Sequence, residues 1–248
     1  MKSGDTDQNI THASAHSGRI SAGGLFAALP GSKLDGHDFI TDALEKGAQA
    51  ILSDRESLSL PKGVVHINSP EPRRDYARIC AAIYPARPGM LVGVTGTNGK
   101  TSIVEYMRQI WKRATWPAAS IGTLGVACPV AELASSTANL TTPAAEDLFA
   151  LFHNLTKSGI THTAFEASSH GLAQNRLAGL GVNVAVFTNL THDHLDFHGD
   201  MDSYFDAKAK LFDDTLLEGG TAIINIDDSY GRKLVKRLSG RHIVLWTV

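Results

Sequence analysis

The sequence predicts an α/β protein with a mostly parallel sheet, organised as two domains. From about residue 47, short apolar segments alternate with longer amphipathic ones, which is the pattern of parallel strands covered by helices. Several of the short segments are continuous apolar runs, as expected for strands buried on both faces. The 248 residues also exceed the roughly 100 to 200 residues of one typical domain.

The order of predicted elements places a domain boundary after residue 88. A helical stretch, 73–84, ends just before Pro85, and Pro88 and Gly89 precede the next apolar strand. We therefore expect a small first domain over residues 1–88 and a second over 89–248. In the first, residues 24–52 read as strand, turn, helix and strand, with Asp35-Gly36 as the turn. The predicted strands are 48–52, 64–67, 91–95, 163–167, 182–188, 222–226 and 243–246.

The composition excludes several classes of function. A formal net charge of -2, with no basic stripe, argues against a nucleic-acid partner. Cys80 and Cys128 are far apart and form no CxxC pair, so neither a disulfide framework nor a zinc site is indicated. No apolar run approaches the roughly 20 residues that span a bilayer, and the N-terminus has no signal-peptide pattern. We expect a soluble cytoplasmic protein.

Residues 93–101, GVTGTNGKT, join an apolar strand to a helical stretch, 102–112. A glycine-rich turn in this place directs backbone N–H groups and the helix dipole at phosphate oxygens. Lys100 would contact the β- and γ-phosphates of ATP, and the Thr101 hydroxyl would bind Mg²⁺. Val94 stands where the strict pattern has glycine, so the loop is a variant. The alternative is a tight connection without a ligand. The predicted phosphate-binding residues are Gly96, Thr97, Asn98, Gly99, Lys100 and Thr101.

A second group of polar residues lies further along the chain. Glu166 ends an apolar strand, where a carboxylate next to a phosphate loop can hold Mg²⁺. Its alternative role is to cap the following helix. Downstream, acids and histidines alternate in a way that suggests a metal site or, equally, a solvated surface. These residues are His192, Asp193, His194, Asp196 and His198.

Lys208 stands out on the helix predicted over 202–212. At about 100° per residue it falls in the middle of the arc formed by Tyr204, Phe205, Leu211 and Phe212. A lysine on an apolar face is paired, extends its ammonium to solvent, or has a lowered pKa and special chemistry.

Five strings together resemble the Mur ligases, and among them most closely the members that add the third amino acid of the peptidoglycan stem peptide. They are GVTGTNGKT, LTTP (residues 140–143), FEASSHGLAQNR (165–176), FTNLTHDHLDFHGDMDSYFDAKAKLF (187–212) and INIDD. The resemblance implies an N-terminal domain that binds the UDP-linked substrate and a central ATP-binding domain. It also implies amide-bond formation through an acyl phosphate.

The resemblance assigns further roles by position. Lys100 and Thr101 would serve ATP and Mg²⁺, with Glu166 as a metal ligand and His194 as a ligand of a second ion. Lys208 matches the family's carbamylated lysine, which also binds metal. The partners implied are a UDP-N-acetylmuramoyl dipeptide and either diaminopimelate or lysine. Residues expected to contact the UDP substrate are Ser17, Thr141, Thr142, Ser168, Gln174 and Arg176.

Some positions depart from the family pattern. His16-Ser17-Gly18 replaces the usual Asp-Ser-Arg, and Leu140 stands where many members have Asn. Family members also continue into a C-terminal domain, so we expect this chain to be a truncated fragment that does not complete ligation alone. Two alternatives remain: a ligase resembling folylpolyglutamate synthetase, and a non-catalytic nucleotide-binding module.

Overall fold

A computed structural model describes residues 2–3, 9–31, 34–134 and 140–248. The chain divides into two compact units, Met1–Pro85 and Ala86–Val248, whereas the sequence places the domain boundary after residue 88. In the described part of the chain no helix combines the length and the apolar character needed to cross a bilayer.

The first unit is built on a five-stranded sheet. Its strands are β1 (Lys2–Ser3), β2 (His12–Ser14), β3 (Gly24–Ala27), β4 (Ala48–Ser53) and β5 (Val65–Asn68), in the spatial order β1-β5-β4-β3-β2. All pairings are parallel except that of β1 with β5. Two helices, α1 (Ile40–Glu45) and α2 (Pro72–Ile83), accompany the sheet, and Phe26 and Ile51 are fully buried. The predicted turn is a 3₁₀ turn, Gly36–Phe39, which the Asp35 side chain caps through the His37 N–H.

The second unit carries a seven-stranded sheet and seven α-helices among its described residues. The strands are β6 (Met90–Thr95), β7 (Ala118–Gly122), β8 (Gly125–Ala127), β9 (His162–Glu166), β10 (Val182–Phe187), β11 (Leu216–Ile224) and β12 (Val244–Thr247). The helices are α3 (Lys100–Arg113), α4 (Ala131–Ala134), α5 (Ala145–Lys157), α6 (Ser169–Ala173), α7 (Leu195–His198), α8 (Met201–Lys210) and α9 (Ser229–Arg237).

The order of the second sheet, β12-β11-β10-β6-β9-β7-β8, places β6 at its centre. Every pairing is parallel except the hairpin of β7 and β8. Val94 on β6 pairs with Glu166 on β9, and Thr95 pairs with Phe187 on β10. The carboxyl ends of the three central strands therefore meet at one edge of the sheet, which is where α/β proteins bind ligands.

Helix α3 shows why these residues fold as they do. Val104 and Trp111 lie seven residues apart on the buried face and pack against Val92, Val94 and Ala164 of the sheet. Lys112 and Arg113 occupy the last turn, where cations are favoured by the helix dipole.

The mostly parallel α/β architecture predicted from the sequence is confirmed, but some elements and their bounds differ. The β7–β8 hairpin was not predicted, because its strands are short and rich in Ala, Ser and Gly. Strand β11 begins at Leu216 rather than 222, since the LLEGG segment is extended despite its glycines. The helix predicted over 202–212 ends as an α-helix at Lys210 and continues as one π turn, Leu211–Thr215.

Candidate functional site

The glycine-rich loop follows β6 directly and ends in α3. Gly96 has a φ of 145°, and a Cβ atom there would lie 1.9 Å from the Thr188 hydroxyl, so only glycine fits. Gly99, with a φ of 87°, is the N-cap of α3. The N–H groups at the start of this 14-residue helix have no carbonyl of a preceding turn to bond. N–H groups in this arrangement can bind an anion.

The turn after β10 holds the loop in place. The N–H groups of Thr97 and Asn98 donate to the backbone and side-chain oxygens of Asn189, at 2.9 and 3.0 Å. The Thr188 hydroxyl donates to the Asn98 carbonyl at 2.6 Å, and the Thr191 N–H donates to the Thr97 hydroxyl at 3.0 Å. Two loop N–H groups are therefore structural, which leaves the first turn of α3 to face a ligand.

A second layer supports this turn. The Asn225 amide donates to the Thr188 carbonyl at 2.9 Å. The Asp228 carboxylate accepts the Leu190 N–H at 2.7 Å and also caps α9 through Tyr230. Two residues of the string INIDD, Asn225 and Asp228, thus support the turn that holds the phosphate loop in place.

Lys100 and Lys208 converge on one carbonyl. Each ammonium lies 2.8 Å from the Gly96 oxygen, so the two nitrogens are at most about 5.6 Å apart. Lys208 is 1% exposed, and its ammonium also lies 4.4 Å from the centre of the Tyr204 ring. The interpretation that Lys208 extends its ammonium to solvent is therefore wrong, because the loop covers it.

Burial governs the charge of both lysines. Burial, and then the nearby Lys100 charge, lower the pKa of Lys208 from 10.5 to about 7, while Asp193 opposes the change. Burial also lowers the pKa of Lys100, against the attraction of Glu166 and Asp193. At neutral pH a substantial fraction of Lys208 is therefore an uncharged amine.

Glu166 is buried beside the loop. Its Oε1 atom accepts the Thr101 hydroxyl and the Thr123 N–H, both at 2.9 Å, and its side chain is 2% exposed. The Ser168 side chain, not Glu166, caps α6 by accepting the Gly171 N–H, so the alternative role of Glu166 as a helix cap is wrong. A buried carboxylate next to a hydroxyl provides the oxygen ligands that Mg²⁺ prefers.

Thr123 is a site residue that sequence reasoning missed. It sits at the turn of the β7–β8 hairpin, and its hydroxyl lies 3.3 Å from Glu166 Oε2 and 3.1 Å from the Thr141 hydroxyl. The signal in the sequence is the GTLG turn after the segment AASI, whose small residues do not predict a strand.

These side chains line one cavity of about 250 Å³. Thr123, Ser169 and Tyr204 line it without having been predicted. The predicted residues in its wall are Thr97, Asn98, Gly99, Lys100, Thr101, Thr141, Glu166, Ser168, His194 and Lys208.

Other predicted substrate residues lie outside the cavity wall. Thr142 is buried, and its hydroxyl donates to the Glu166 carbonyl at 2.8 Å and accepts the Ser168 N–H at 2.9 Å. Arg176 donates to the Thr142 carbonyl at 2.6 Å and to the Gln174 side chain at 2.8 Å. These contacts join the LTTP segment to α6 and its following turn. Ser17 belongs to the first unit, where its hydroxyl bonds the Asp42 carboxylate.

The structure places the acids and histidines of residues 192–198 in different surroundings. His192, His194 and Asp196 are all exposed, and of these three His194 lines the cavity, from a left-handed backbone conformation with a φ of 52°. His198 packs on the Tyr204 ring, 4.9 Å between centres. Across residues 9–31, 34–134 and 140–248, no three His, Cys, Asp or Glu side chains converge as metal ligands.

The sheet order, the central strand and the glycine loop define a parallel α/β protein of the phosphate-loop class. The chain belongs to the Mur ligase family. The family's model of the Mur ligase middle domain matches residues 94–248, and a model described as Mur ligase family, catalytic domain, matches residues 9–91. The resemblance inferred from five strings is thereby confirmed.

Individual relatives are similar to this chain over most of its length. The chain is 45% identical over 227 residues to the UDP-N-acetylmuramoyl-L-alanyl-D-glutamate–2,6-diaminopimelate ligase of Caulobacter vibrioides, covering 90% of this chain and 46% of that protein. It is 41% identical to the ligase of the same name from Brucella melitensis, covering 92% and 46%. A solved structure of a ligase with this name superposes with a TM-score of 0.81 at 30% identity, covering 96% and 48%. The chain therefore spans about half the length of the curated relatives it matches.

More distant structures share the fold alone. MurF from Thermotoga maritima in complex with ADP superposes with a TM-score of 0.60 at 22% identity, covering 98% of this chain and 51% of that one. FolC of E. coli reaches only 0.51 at 17% identity, over 71% of this chain and 46% of that one. The folylpolyglutamate-synthetase alternative is therefore not favoured.

Proposed function

We propose that this chain forms the ATP and UDP-substrate sites of a ligase that adds diaminopimelate to UDP-N-acetylmuramoyl-L-alanyl-D-glutamate in peptidoglycan synthesis. The observation that carries the proposal is the convergence of Lys100, Lys208, Thr101 and Glu166 on one cavity at the end of β6. The names of the relatives supply the substrates. We propose that the reaction takes place in the cytoplasm, which supplies the ATP.

In the proposed reaction, a substrate carboxylate attacks the γ-phosphorus of ATP, and the bond to the β–γ bridging oxygen breaks, giving an acyl phosphate and ADP. The amine then attacks the acyl carbon, loses a proton, and inorganic phosphate leaves. Negative charge moves between oxygens in both steps, so the protein's task is to hold cations and N–H donors around them. The first turn of α3 and the Lys100 ammonium fit that task.

The residues present fit Mg²⁺. Thr101 and Glu166 would hold one ion, and His194 and a carbamate on Lys208 would bind a second; bound Mg²⁺ would neutralise phosphate charge. A carbamate forms when the uncharged Lys208 amine attacks CO₂ and releases a proton. Its pKa of about 7 makes that amine accessible, and Lys100 would balance the resulting negative charge.

The substrate assignments extend the proposal to further residues. Thr141 and Ser168 line the cavity and would contact the peptide part of the UDP substrate. Thr142, Gln174 and Arg176 would position this part of the site, because their hydrogen bonds join the LTTP segment to α6 and its following turn. We propose that Ser17 contacts the UDP substrate from the first unit.

Calorimetric titration of the 248-residue chain with a non-hydrolysable ATP analogue tests the nucleotide site. We expect binding in Mg²⁺, and a loss of at least tenfold in affinity for Lys100→Met, because a charge-assisted phosphate contact is lost. Lys112→Met, on the exposed side of the same helix, is the matched control and should bind as the wild type does. Equal affinity of the Lys100 and Lys112 variants would contradict the proposed site.

The UDP substrate needs its own measurement. Titration with UDP-N-acetylmuramoyl-L-alanyl-D-glutamate should show binding, and a folate in its place should show none. Binding of folate without binding of the UDP dipeptide would reverse the substrate assignment.

A further inference from the structure

We propose that Thr123 is a positioning residue that fixes the Glu166 carboxylate for Mg²⁺ and connects it to Thr141 on the substrate side of the cavity. This inference rests on the proposed function, since it concerns the same metal and substrate. Neither the glycine loop nor the acid and histidine run includes Thr123. It enters the cavity from the β7–β8 hairpin.

Thr123 contacts both oxygens of the Glu166 carboxylate. Its backbone N–H donates to Oε1 at 2.9 Å, and its hydroxyl lies 3.3 Å from Oε2. The Thr101 hydroxyl donates to Oε1 at 2.9 Å as well. A carboxylate contacted at both oxygens has one orientation, and such supporting hydrogen bonds commonly change metal affinity by about 10 to 100-fold.

The hairpin makes this contact rigid. Gly122 pairs with Gly125 across the turn, which fixes the direction of the Thr123 N–H. A Cβ atom on Gly122 would lie 2.1 Å from Glu166 Oε1, so the backbone approaches the carboxylate as closely as glycine permits. The direction of the N–H thus depends on backbone pairing, not on a side-chain rotamer.

The Thr123 hydroxyl also joins two parts of the site. It has one proton to donate, and it lies 3.1 Å from the Thr141 hydroxyl and 3.3 Å from the carboxylate. When it donates its proton to the anionic Glu166, its contact with the Thr141 hydroxyl can only be one in which Thr141 donates. In this arrangement the Thr141 hydroxyl donates to Thr123, and the Thr123 hydroxyl donates to Glu166. A substrate that binds Thr141 would therefore influence the carboxylate that would hold Mg²⁺.

The test compares the affinity of the 248-residue chain for a non-hydrolysable ATP analogue in excess Mg²⁺ and in EDTA. Thr123→Val keeps the shape and the N–H but removes the hydroxyl. We expect its affinity in Mg²⁺ to fall about tenfold and its affinity in EDTA to stay unchanged. Thr123→Ser restores the hydroxyl and should bind within about twofold of the wild type. Thr161→Val, an exposed threonine at the other end of the sheet, is the matched control.

The coupling to Thr141 is tested by a double-mutant cycle. Thr141→Val should lower the Mg²⁺-dependent affinity in the wild-type background and have no further effect in Thr123→Val. Additive effects would overturn the link between the two threonines.

The outcomes separate the inference from the proposed function. A wild-type chain that does not bind the analogue contradicts both. If the wild type binds but Thr123→Val matches it, or loses affinity equally in EDTA, only the role of Thr123 is wrong. Circular dichroism checks folding. If Thr123→Val and Thr123→Ala both fail to fold while Thr123→Ser folds, the residue serves folding and the inference is also overturned.

Discussion

Replacing the buried Lys208 with methionine should stabilise the second unit. The pKa of this ammonium falls from 10.5 to about 7. A pKa difference of about 3.5 corresponds to roughly 5 kcal/mol of unfolding free energy lost at or below neutral pH. Methionine fills similar volume but forfeits the hydrogen bond to Gly96 and the contact with the Tyr204 ring, together about 2 kcal/mol. The net gain for Lys208→Met is therefore roughly 3 kcal/mol at pH 6.5.

The sign of the pH dependence follows from the same pKa values. Because the folded pKa lies below the unfolded one, the unfolded chain holds the extra proton between about pH 7 and 10.5. Wild-type stability therefore rises with pH across this window, by up to about 1.4 kcal/mol per pH unit. The advantage of Lys208→Met should be largest near pH 6.5, shrink as the pH rises, and reverse near pH 9.

Urea unfolding followed by tryptophan fluorescence measures this effect. All three tryptophans, Trp111, Trp116 and Trp246, lie in the second unit, so the signal reports that unit alone. Buffers purged of CO₂ keep the lysine unmodified. Lys210→Met, two residues along α8 and partly exposed, is the control and should shift stability by less than about 1 kcal/mol. Equal stability of Lys208→Met and wild type at pH 6.5, or a constant difference up to pH 9, would refute the reasoning.

Two further substitutions address the support of the phosphate loop. Asp228→Ala removes a helix cap and the acceptor for Leu190, and should lower the free energy of unfolding by roughly 2 to 3 kcal/mol in the same assay. Asp227→Ala, at the exposed neighbouring position, should change the free energy of unfolding by less than about 0.5 kcal/mol. Equal losses in the two variants would show that the contacts of Asp228 do not stabilise this unit. Gly96→Ala should abolish measurable nucleotide binding in calorimetry, because its Cβ would overlap the Thr188 hydroxyl. Gly89→Ala, whose Cβ meets only a carbonyl at 3.8 Å, should bind normally, and binding by both would contradict the geometry.

The features that sequence reasoning predicted are local ones. A strand, a glycine turn and a helix are contiguous over residues 90–113, so pattern and motif locate them together. The 100° spacing also placed Lys208 correctly on the apolar face of α8. Whether its ammonium reached solvent depended on the loop at Gly96, more than a hundred residues away, and no helical period carries that information.

The features that sequence reasoning missed depend on tertiary context. Four of the five residues of strand β7 are Ala, Ser or Gly, which have little intrinsic preference for a strand; the segment is extended because it pairs with β9. The position of Thr123 beside Glu166 depends on that pairing. The guanidinium of Arg176 donates to the Thr142 carbonyl, a partner 34 positions away in the chain that only the fold brings near.

The hydrogen bonds that hold the phosphate loop in place join residues that are far apart in the chain. Thr97 and Thr191 are separated by 94 positions, and Gly96 and Lys208 by 112. Contacts of this range form slowly, because long segments must be ordered before they bond. During synthesis at about 5 to 20 residues per second, the loop emerges on the order of ten seconds before Lys208 is made. Throughout that interval the nascent chain contains the glycine loop but no assembled cavity, so nucleotide cannot guide the early folding of this unit.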